Sequence, residues 1–376
     1  MKNIIVFISV TCFLLFLISC APTAATYYEA GTKQFVQDDC NSVQNFEKAS
    51  EMEIEDDGDC YPTYMLSLGL ARYNCNDYQG ALKAFQTVDF YVFKRSNREA
   101  EEKGFDFLKS KGNRLYELTE REETLLHYYM GMIHFKLGNY SDALVEFKKV
   151  DYIAEGNYSK LPLVALMRGL TYEELGEQDN ALVAYKKIIE QNHQSPVGYY
   201  LAIRLEPDEG NRDVLKQMLS DSCGIQYTEP QQHQCTIIVL LEGKGTLDSD
   251  ENIEIRYAAE NHQVRLFDVV NPEFDFGKFS AGVIKEVGSA LARDLMKNVA
   301  SQFIPFGGSI VNAFLGGEKA EDRYCAILPG YFIADVMYVN SGIVNFEVNK
   351  YEDDELSLTK EYSFDNRDEY LFVSSF

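Results

Sequence analysis

Ser357-Leu358-Thr359-Lys360 puts a hydroxyl and an amine three residues apart. On one helical turn that spacing lets a lysine prepare a serine for acyl transfer. The Ser-Asp-Asn and Lys-Thr-Gly stretches that accompany such a nucleophile do not occur in this sequence, and serines and lysines reach this spacing by chance. Asp248-Ser249-Asp250-Glu251-Asn252-Ile253-Glu254 has the carboxylate rhythm of a calcium loop. It carries Ile253 where the loop turns on glycine and Ala259 where a bidentate glutamate closes it, so a hairpin turn is expected. Gly243-Lys244-Gly245-Thr246 lacks the upstream glycine of a phosphate-binding loop, and no Gly-x-Ser-x-Gly elbow exists. His127 and His134 stand seven apart on one helix face, too far for a paired metal site, and are expected in packing or in a groove. The carboxylates Glu51, Glu53, Glu55, Asp56, Asp57 and Asp59 are expected in a solvated loop. The reading is therefore no catalytic residue, no metal, no cofactor and no enzyme.

One residue does promise chemistry. Lys2, an apolar run from Ile4 to Ile18 and the ending Leu17-Ile18-Ser19-Cys20 make a secretory signal too short to be a comfortable membrane span. The ending resembles the bacterial lipobox, which implies that Cys20 is acylated (palmitate among its chains) and becomes the mature N-terminus. Several acyl chains anchor a protein stably where one does not. Ala21 in place of aspartate implies the outer membrane, with the body facing the periplasm. That compartment permits disulfides.

The elements that surround these residues are repeats. Gly69, Ala81, Phe85 and Val88 are matched by Gly131, Ala143, Phe147 and Val150, and again by Gly169, Ala181, Tyr185 and Ile188. In each set the alanine follows the glycine by 12, the aromatic follows the alanine by four and the aliphatic by seven. Small residues let two helices approach closely, and a residue four further on shares the face of the alanine. The pattern resembles the tetratricopeptide repeat, a helix–turn–helix unit. Gly31, Ser42, Phe46 and Ala49 fit a degenerate copy with one residue deleted at the turn. Val197 to Leu205 and Arg212 to Leu219 are expected as capping helices. A charged insert, about residues 91–120, separates the first two full repeats and is read as lengthened helices or an added hairpin.

Repeat geometry places Cys40 and Cys75 at equivalent turns and predicts their disulfide. Cys60 belongs to the other end of the stack. Cys223 and Cys235 flank the loop before the next domain and are candidates to close it. The repeat groove should be lined by helix-A residues Leu66, Leu70, Tyr73, Tyr128, Met132, Phe135, Leu166 and Leu170, together with Thr63, Asn74, Leu125, Lys136, Leu163, Glu173 and Glu174. It is apolar and aromatic, without the Lys/Asn carboxylate clamp of chaperone-binding relatives. An exposed groove of this kind marks an interaction site for a protein partner. Occupation by the chain's own insert or by its Phe279–Ala300 helix is the rival reading, and the sequence leaves the two open.

Near residue 221 the apolar period changes from 3.6 to 2. Strands are expected at Thr236–Leu241, Ile253–Tyr257, Gln263–Val269, Tyr331–Val339, Ile343–Val348 and Glu369–Ser374, with a helix over Phe279–Ala300. The uncharged stretch Asn298–Gly317 is read as buried against the sheet, with a lipid- or partner-contacting loop as the other possibility. The expected organisation is α+β and multidomain. It comprises a signal at 1–19, an all-α repeat solenoid at 20–220 and a C-terminal α+β domain with an antiparallel sheet at 221–376.

Thr236–Gly243, Ala281–Val287, Glu321–Cys325 and Ile327–Gly330 together resemble a family of bacterial tetratricopeptide-repeat lipoproteins, often encoded beside activator lipoproteins of penicillin-binding proteins. Where that family tends to carry Asp-Thr-Arg-x-Trp, this chain has Glu321-Asp322-Arg323-Tyr324-Cys325. The resemblance implies a non-enzymatic scaffold in envelope assembly, recruiting an envelope protein through the groove. An enzyme or small-ligand module in residues 221–376 is the alternative.

Composition agrees with this picture. The 376 residues carry 35 Lys+Arg against 59 Asp+Glu, a net charge of −24, which excludes the basic footprint of a nucleic-acid binder. At 46% hydrophobic with 25 Tyr and 24 Phe, the chain can bury a large core. Loss of Lys2 with the signal makes it one charge more negative. An acidic body tethered at Cys20 is expected to project away from anionic lipid rather than lie on it.

Overall fold

The structure is a computed structural model describing residues 22–55, 60–102, 118–153, 161–230, 234–243, 251–257, 260–264, 266–269, 325, 327–329, 331–340, 343–352, 355–365 and 370–373. The signal and Cys20, the carboxylates Asp56–Asp59, most of the insert after Glu102, the Phe279–Ala300 helix, the Asn298–Gly317 stretch, Glu321–Tyr324 and the Asp248–Asp250 turn lie outside the described residues. Among the described residues no helix is long and apolar enough to cross a membrane.

Among the described residues ten helices come first, in antiparallel pairs. They are α1 (Ala24–Val36) with α2 (Ser42–Glu55), α3 (Tyr61–Asn74) with α4 (Tyr78–Glu102), and α5 (Glu120–Lys136) with α6 (Tyr140–Ile153). Then follow α7 (Pro162–Glu174) with α8 (Gln178–Gln191), and α9 (Pro196–Leu205) with α10 (Glu209–Cys223). The repeat spacing has a direct physical cause. A methyl group on Gly131 would come within 2.5 Å of the Phe147 ring, and one on Gly31 within 2.9 Å of the Phe46 ring. Gly69 faces Phe85 and Gly169 faces Tyr185 at still closer range. Each helix-A glycine is thus the floor on which the helix-B aromatic lies.

The turns repeat as well. Asp38, Asn76, Gly138 and Gly176 all have positive φ and all stand seven residues after the helix-A glycine. The next amide reaches back to the helix, as in Asp77 N to Arg72 O (2.9 Å) and Glu177 N to Tyr172 O (2.8 Å). This left-handed cap satisfies carbonyls that the helix end leaves open. In the degenerate copy α2 starts at Ser42, the position the alanine holds elsewhere, whereas helix B of the full repeats starts three residues before that alanine.

Compact packing divides the chain into two units, Met1–Tyr116 with Ala313–Cys325, and Glu117–Asn312 with Ala326–Phe376. The division falls inside the repeats, whereas helix gives way to strand between Cys223 and Gln234. In the first unit Tyr28 stacks on Tyr64 with 4.7 Å between centroids, beside buried Ala24 and Ala49. Cys40 and Cys75 form a disulfide across equivalent turns, with 5.8 Å between Cα atoms. The charged insert begins as a continuation of α4, which runs to Glu102.

Among the described residues the second unit holds the remaining helices and eight strands. They are β1 (Gln234–Gly243), β2 (Glu251–Tyr257), β3 (Glu260–Val264), β4 (Leu266–Val269), β5 (Tyr331–Asn340), β6 (Ile343–Glu352), β7 (Glu355–Asp365) and β8 (Tyr370–Val373). They form two four-stranded sheets, ordered β4-β5-β1-β8 and β3-β2-β6-β7. The ladders are antiparallel, with one departure from expectation: β8 runs parallel to β1. The expected single strand Gln263–Val269 is split between the two sheets at Arg265.

The expected closure of the loop by Cys223 and Cys235 is not formed. Cys223 retains a thiol, buried at the end of α10, with Sγ 3.4 Å from the carbonyl of Gln194. Gly224, at φ 69°, turns the chain away at that point. Ser357 is the extra residue of a bulge in β7 and Lys360 pairs onward with Val348, so the Ser-x-x-Lys spacing lies on a bulged strand rather than a helical turn.

Candidate functional site

The apolar and aromatic groove residues are all on helix A of their repeats, and all are buried. Leu66, Tyr128, Met132, Leu166 and Leu170 have no exposed surface, Leu70 and Tyr73 retain 2%, and Phe135 retains 6%.

In the second unit the side chains of α5 meet the chain's own β1–β5 ladder. The α5 helix starts from a capping box in which Thr119 Oγ1 accepts from Glu122 N and the Glu122 side chain reaches back to Thr119. That fixes Arg121, whose Nη2 donates to Pro329 O at 2.8 Å and to Leu328 O at 3.4 Å. Leu328 and Pro329 are thereby held at the start of the helix. Two turns along, the Tyr128 ring meets the Phe332 ring edge to face, with centroids 5.5 Å apart and planes at 71°. Tyr129 donates its hydroxyl hydrogen to Glu242 Oε2 at 2.9 Å. Tyr200 of α9 meets Tyr338 of β5 edge to face at 6.1 Å.

One face of the β1–β5 ladder makes these contacts. Glu242 is opposite Phe332, Leu240 opposite Ala334, and Ile238 opposite Val336. Opposed and alternate residues of an antiparallel ladder share a face. All six are buried.

A carboxylate in such a seat is electrostatically costly. Burial drives Glu242 up to about 7, although the Tyr129 hydrogen bond and the charge of Lys136 both favour its ionised form. Lys136, in turn, is pushed down by burial and held up by Glu242. Asp335, on the opposite face of β5, is likewise raised by burial to about 7 while accepting from Val336 N at 2.8 Å. In the sequence Glu242 is marked only as an acid ending the otherwise apolar strand Thr236–Gly243.

His127 is a packing residue. Its Nδ1 lies 2.7 Å from Glu146 Oε2 between α5 and α6, and Lys149 Nζ reaches the other carboxylate oxygen at 3.0 Å. Burial raises Glu146, but His127 and Lys149 outweigh it and hold the carboxyl below its ordinary range. In the first unit Ser67 Oγ lies 3.2 Å from the buried Cys325 Sγ.

A second concavity, about 780 Å³, opens on β2, β6 and β7. Arg256, Glu347 and Glu361 occupy one row across its strands, with Arg256 Nη1 3.7 Å from Glu347 Oε2. Asn345 and Ser363 pair in the next such row, and the ring pair Phe346–Tyr362 also lines it. Among the described residues no group of three or more His, Cys, Asp or Glu side chains is arranged to hold a metal.

Residues 164–195 match the family model of the tetratricopeptide repeat. Among solved structures, MamA (residues 41 to the end) from Desulfovibrio magneticus RS-1 is similar at 14% identity, covering 53% of this chain and 92% of that one, with a TM-score of 0.39. A tetratricopeptide repeat protein from Parabacteroides merdae ATCC 43184 is similar at 16% identity, covering 53% and 64%, with a TM-score of 0.37. YrrB, described as a TPR protein with an unusual peptide-binding site, is similar at 16% identity, covering 56% and 90%, with a TM-score of 0.37. No curated protein matches the chain in sequence. The chain is an N-terminal array of helical repeats resembling tetratricopeptide-repeat proteins, followed by a C-terminal region of small, mainly antiparallel sheets.

Proposed function

We propose that the protein is a lipid-anchored interaction scaffold of the bacterial envelope, tethered at Cys20 to the outer membrane and facing the periplasm. The repeat groove is its regulated site. In the resting form the β1–β5 face fills the groove along α5, and an envelope protein gains the site when that face withdraws. The observation that carries this reading is the seating of Phe332 against Tyr128. It favours self-occupation of the groove, and by an element other than the insert or the Phe279–Ala300 helix. It also defines what the groove accepts: an apolar face bearing an aromatic ring.

Phe332→Ala tests the reading because it loosens the seat and leaves every groove residue intact. Recovery of envelope proteins on the tethered protein should rise, and adding Tyr128→Ala and Phe135→Ala should abolish the gain. Unchanged recovery in Phe332→Ala would leave the groove as an internal packing surface. A Cys20→Ala form that still partitions with membranes would refute the tether.

The concavity on β2, β6 and β7 supports a second reading, a small-ligand module in the C-terminal region. Its row of Arg256, Glu347 and Glu361 beside Asn345 and Ser363 suits a polar ligand. Native mass spectrometry of the full chain, with Arg256→Ala as control, tests it. A co-purifying small molecule lost in the variant favours this reading, and an unliganded mass in both weighs against it.

A further inference from the structure

We propose that Glu242, buried and hydrogen-bonded by Tyr129, is a proton-operated latch that keeps the β1–β5 face in the groove of α5 and lets it go as the solution turns alkaline. The proposal rests on the reading that the groove is filled by the chain's own sheet.

The contact between α5 and this sheet face is apolar around Tyr128 and Phe332, and Glu242 is the carboxyl set into it. Tyr129 donates to it at 2.9 Å and Lys136 supplies the nearby positive charge. Opposite it on β5 is Phe332, Leu240 and Ala334 continue the face, and the register sets Asp268 of β4 against Phe332 on its other side, so Asp268 is the further titrating residue of this row among the described residues. Arg121 grips backbone carbonyls at the other end of the contact and keeps its charge throughout. Asp335 lies an odd number of residues from Phe332 and therefore on the other face of β5.

A protonated carboxyl fits this seat without a compensating charge. An ionised one must give up its hydration for one hydroxyl and one partly buried amine. Burial drives the Glu242 carboxyl up to about 7. When the face withdraws, the group returns to water and to an ordinary value near 4.5. The closed form therefore binds the proton more tightly. Closure is fully favoured below about pH 4.5, weakens as the pH rises towards 7, and is level above that. The full span corresponds to roughly a 300-fold change in the closed-to-open ratio.

The test is hydrogen exchange of the full chain carrying Cys20→Ala between pH 5 and pH 8, with rates corrected for the intrinsic effect of pH. The segments read are 125–136 and 331–340, in the parent and in Glu242→Gln. The quantity that decides is the difference between their pH slopes, in which the separate contributions of Asp335 and Asp268 cancel. Protection in the parent should fall at least tenfold more steeply than in Glu242→Gln, and Tyr129→Phe should shift the midpoint of the parent's slope upward. Equal slopes in parent and Glu242→Gln would overturn the latch. A Phe332→Ala arm separates the two ideas. If that variant leaves segment 125–136 as protected as in the parent, the filled groove itself is wrong. If it exposes the segment while the slopes stay equal, the groove reading stands and the latch alone fails. Should Glu242→Gln not fold, the carboxyl resonance of Glu242 in the parent decides: titration near 7 supports the latch, and titration near 4.5 overturns it.

Discussion

The rings of Tyr128 and Phe332, 204 residues apart in sequence, meet edge to face with 5.5 Å between their centroids. The repeat groove and the C-terminal sheet share this contact, and both rings have no exposed surface. Removing either buried ring should cost about 3–5 kcal/mol, from lost burial and the cavity left behind. The double variant should cost less than the sum, by about 0.5–1.5 kcal/mol, the usual coupling of an aromatic pair. Urea unfolding of Tyr128→Ala, Phe332→Ala and the double variant measures this. Strict additivity would mean that the rings do not touch in solution.

The repeat interlock makes a steric prediction. Gly169 lies directly beneath the Tyr185 ring, so Gly169→Ala should destabilise the repeat by about 1–3 kcal/mol despite alanine's better helix propensity. Adding Tyr185→Leu should recover part of the loss, because a smaller side chain makes room for the methyl. A stabilising Gly169→Ala, read by thermal unfolding, would show that the helices can separate freely.

The cysteines predict a definite redox pattern. Cys40 and Cys75 close a loop with a sequence separation of 35, and breaking it with Cys75→Ser should cost about 2–4 kcal/mol. Cys223 should react with an alkylating reagent only after unfolding, since its buried thiol faces the His193 and Gln194 carbonyls. Peptide mapping of the non-reduced protein should find Cys40 joined to Cys75 and Cys223 as a thiol. A Cys223–Cys235 peptide would contradict the structure.

Stability should depend on pH in two opposed ways. Glu242 and Asp335 have raised folded values, so they bind protons more tightly in the folded state. Their contribution is complete below about pH 4 and is lost as the pH climbs to about 7, with Glu242 accounting for about 3 kcal/mol. Glu146 and Glu206 have depressed folded values, Glu146 because His127 and Lys149 outweigh its burial, Glu206 chiefly through its hydrogen bond from Lys186. Their contribution is present above the ordinary carboxyl range and disappears on acidification. Maximum stability is therefore expected in mild acid, and Glu242→Gln should flatten the alkaline side. Denaturant midpoints across pH 4 to 9 in both proteins provide the measurement.

Much of the helical half was legible because its signal is local. The interval from Gly131 to Ala143, Phe147 and Val150 encodes a steric fit between two adjacent helices, and such fits survive in one sequence without knowledge of anything distant. The Cys40–Cys75 bridge followed from the same periodicity. The contact between Phe332 and Tyr128 was not legible, because it depends on how a distant strand docks and no local pattern records it. The β7 strand escaped the reading although Leu356, Leu358, Lys360, Tyr362 and Phe364 alternate. Lys360 interrupts the apolar series, and the bulge at Ser357 blurs the period where the strand begins. The parallel pairing of β8 with β1 was equally hidden, since strand direction follows from the path of the connection rather than from composition.

Occupation of the α5 groove by the chain's own sheet is read from the nuclear Overhauser contact between the ring protons of Tyr128 and Phe332 in the full chain carrying Cys20→Ala. A strong cross-peak is expected at mild acid pH. A Tyr128 ring with no contact to Phe332, together with free access of solvent to that ring, would contradict it.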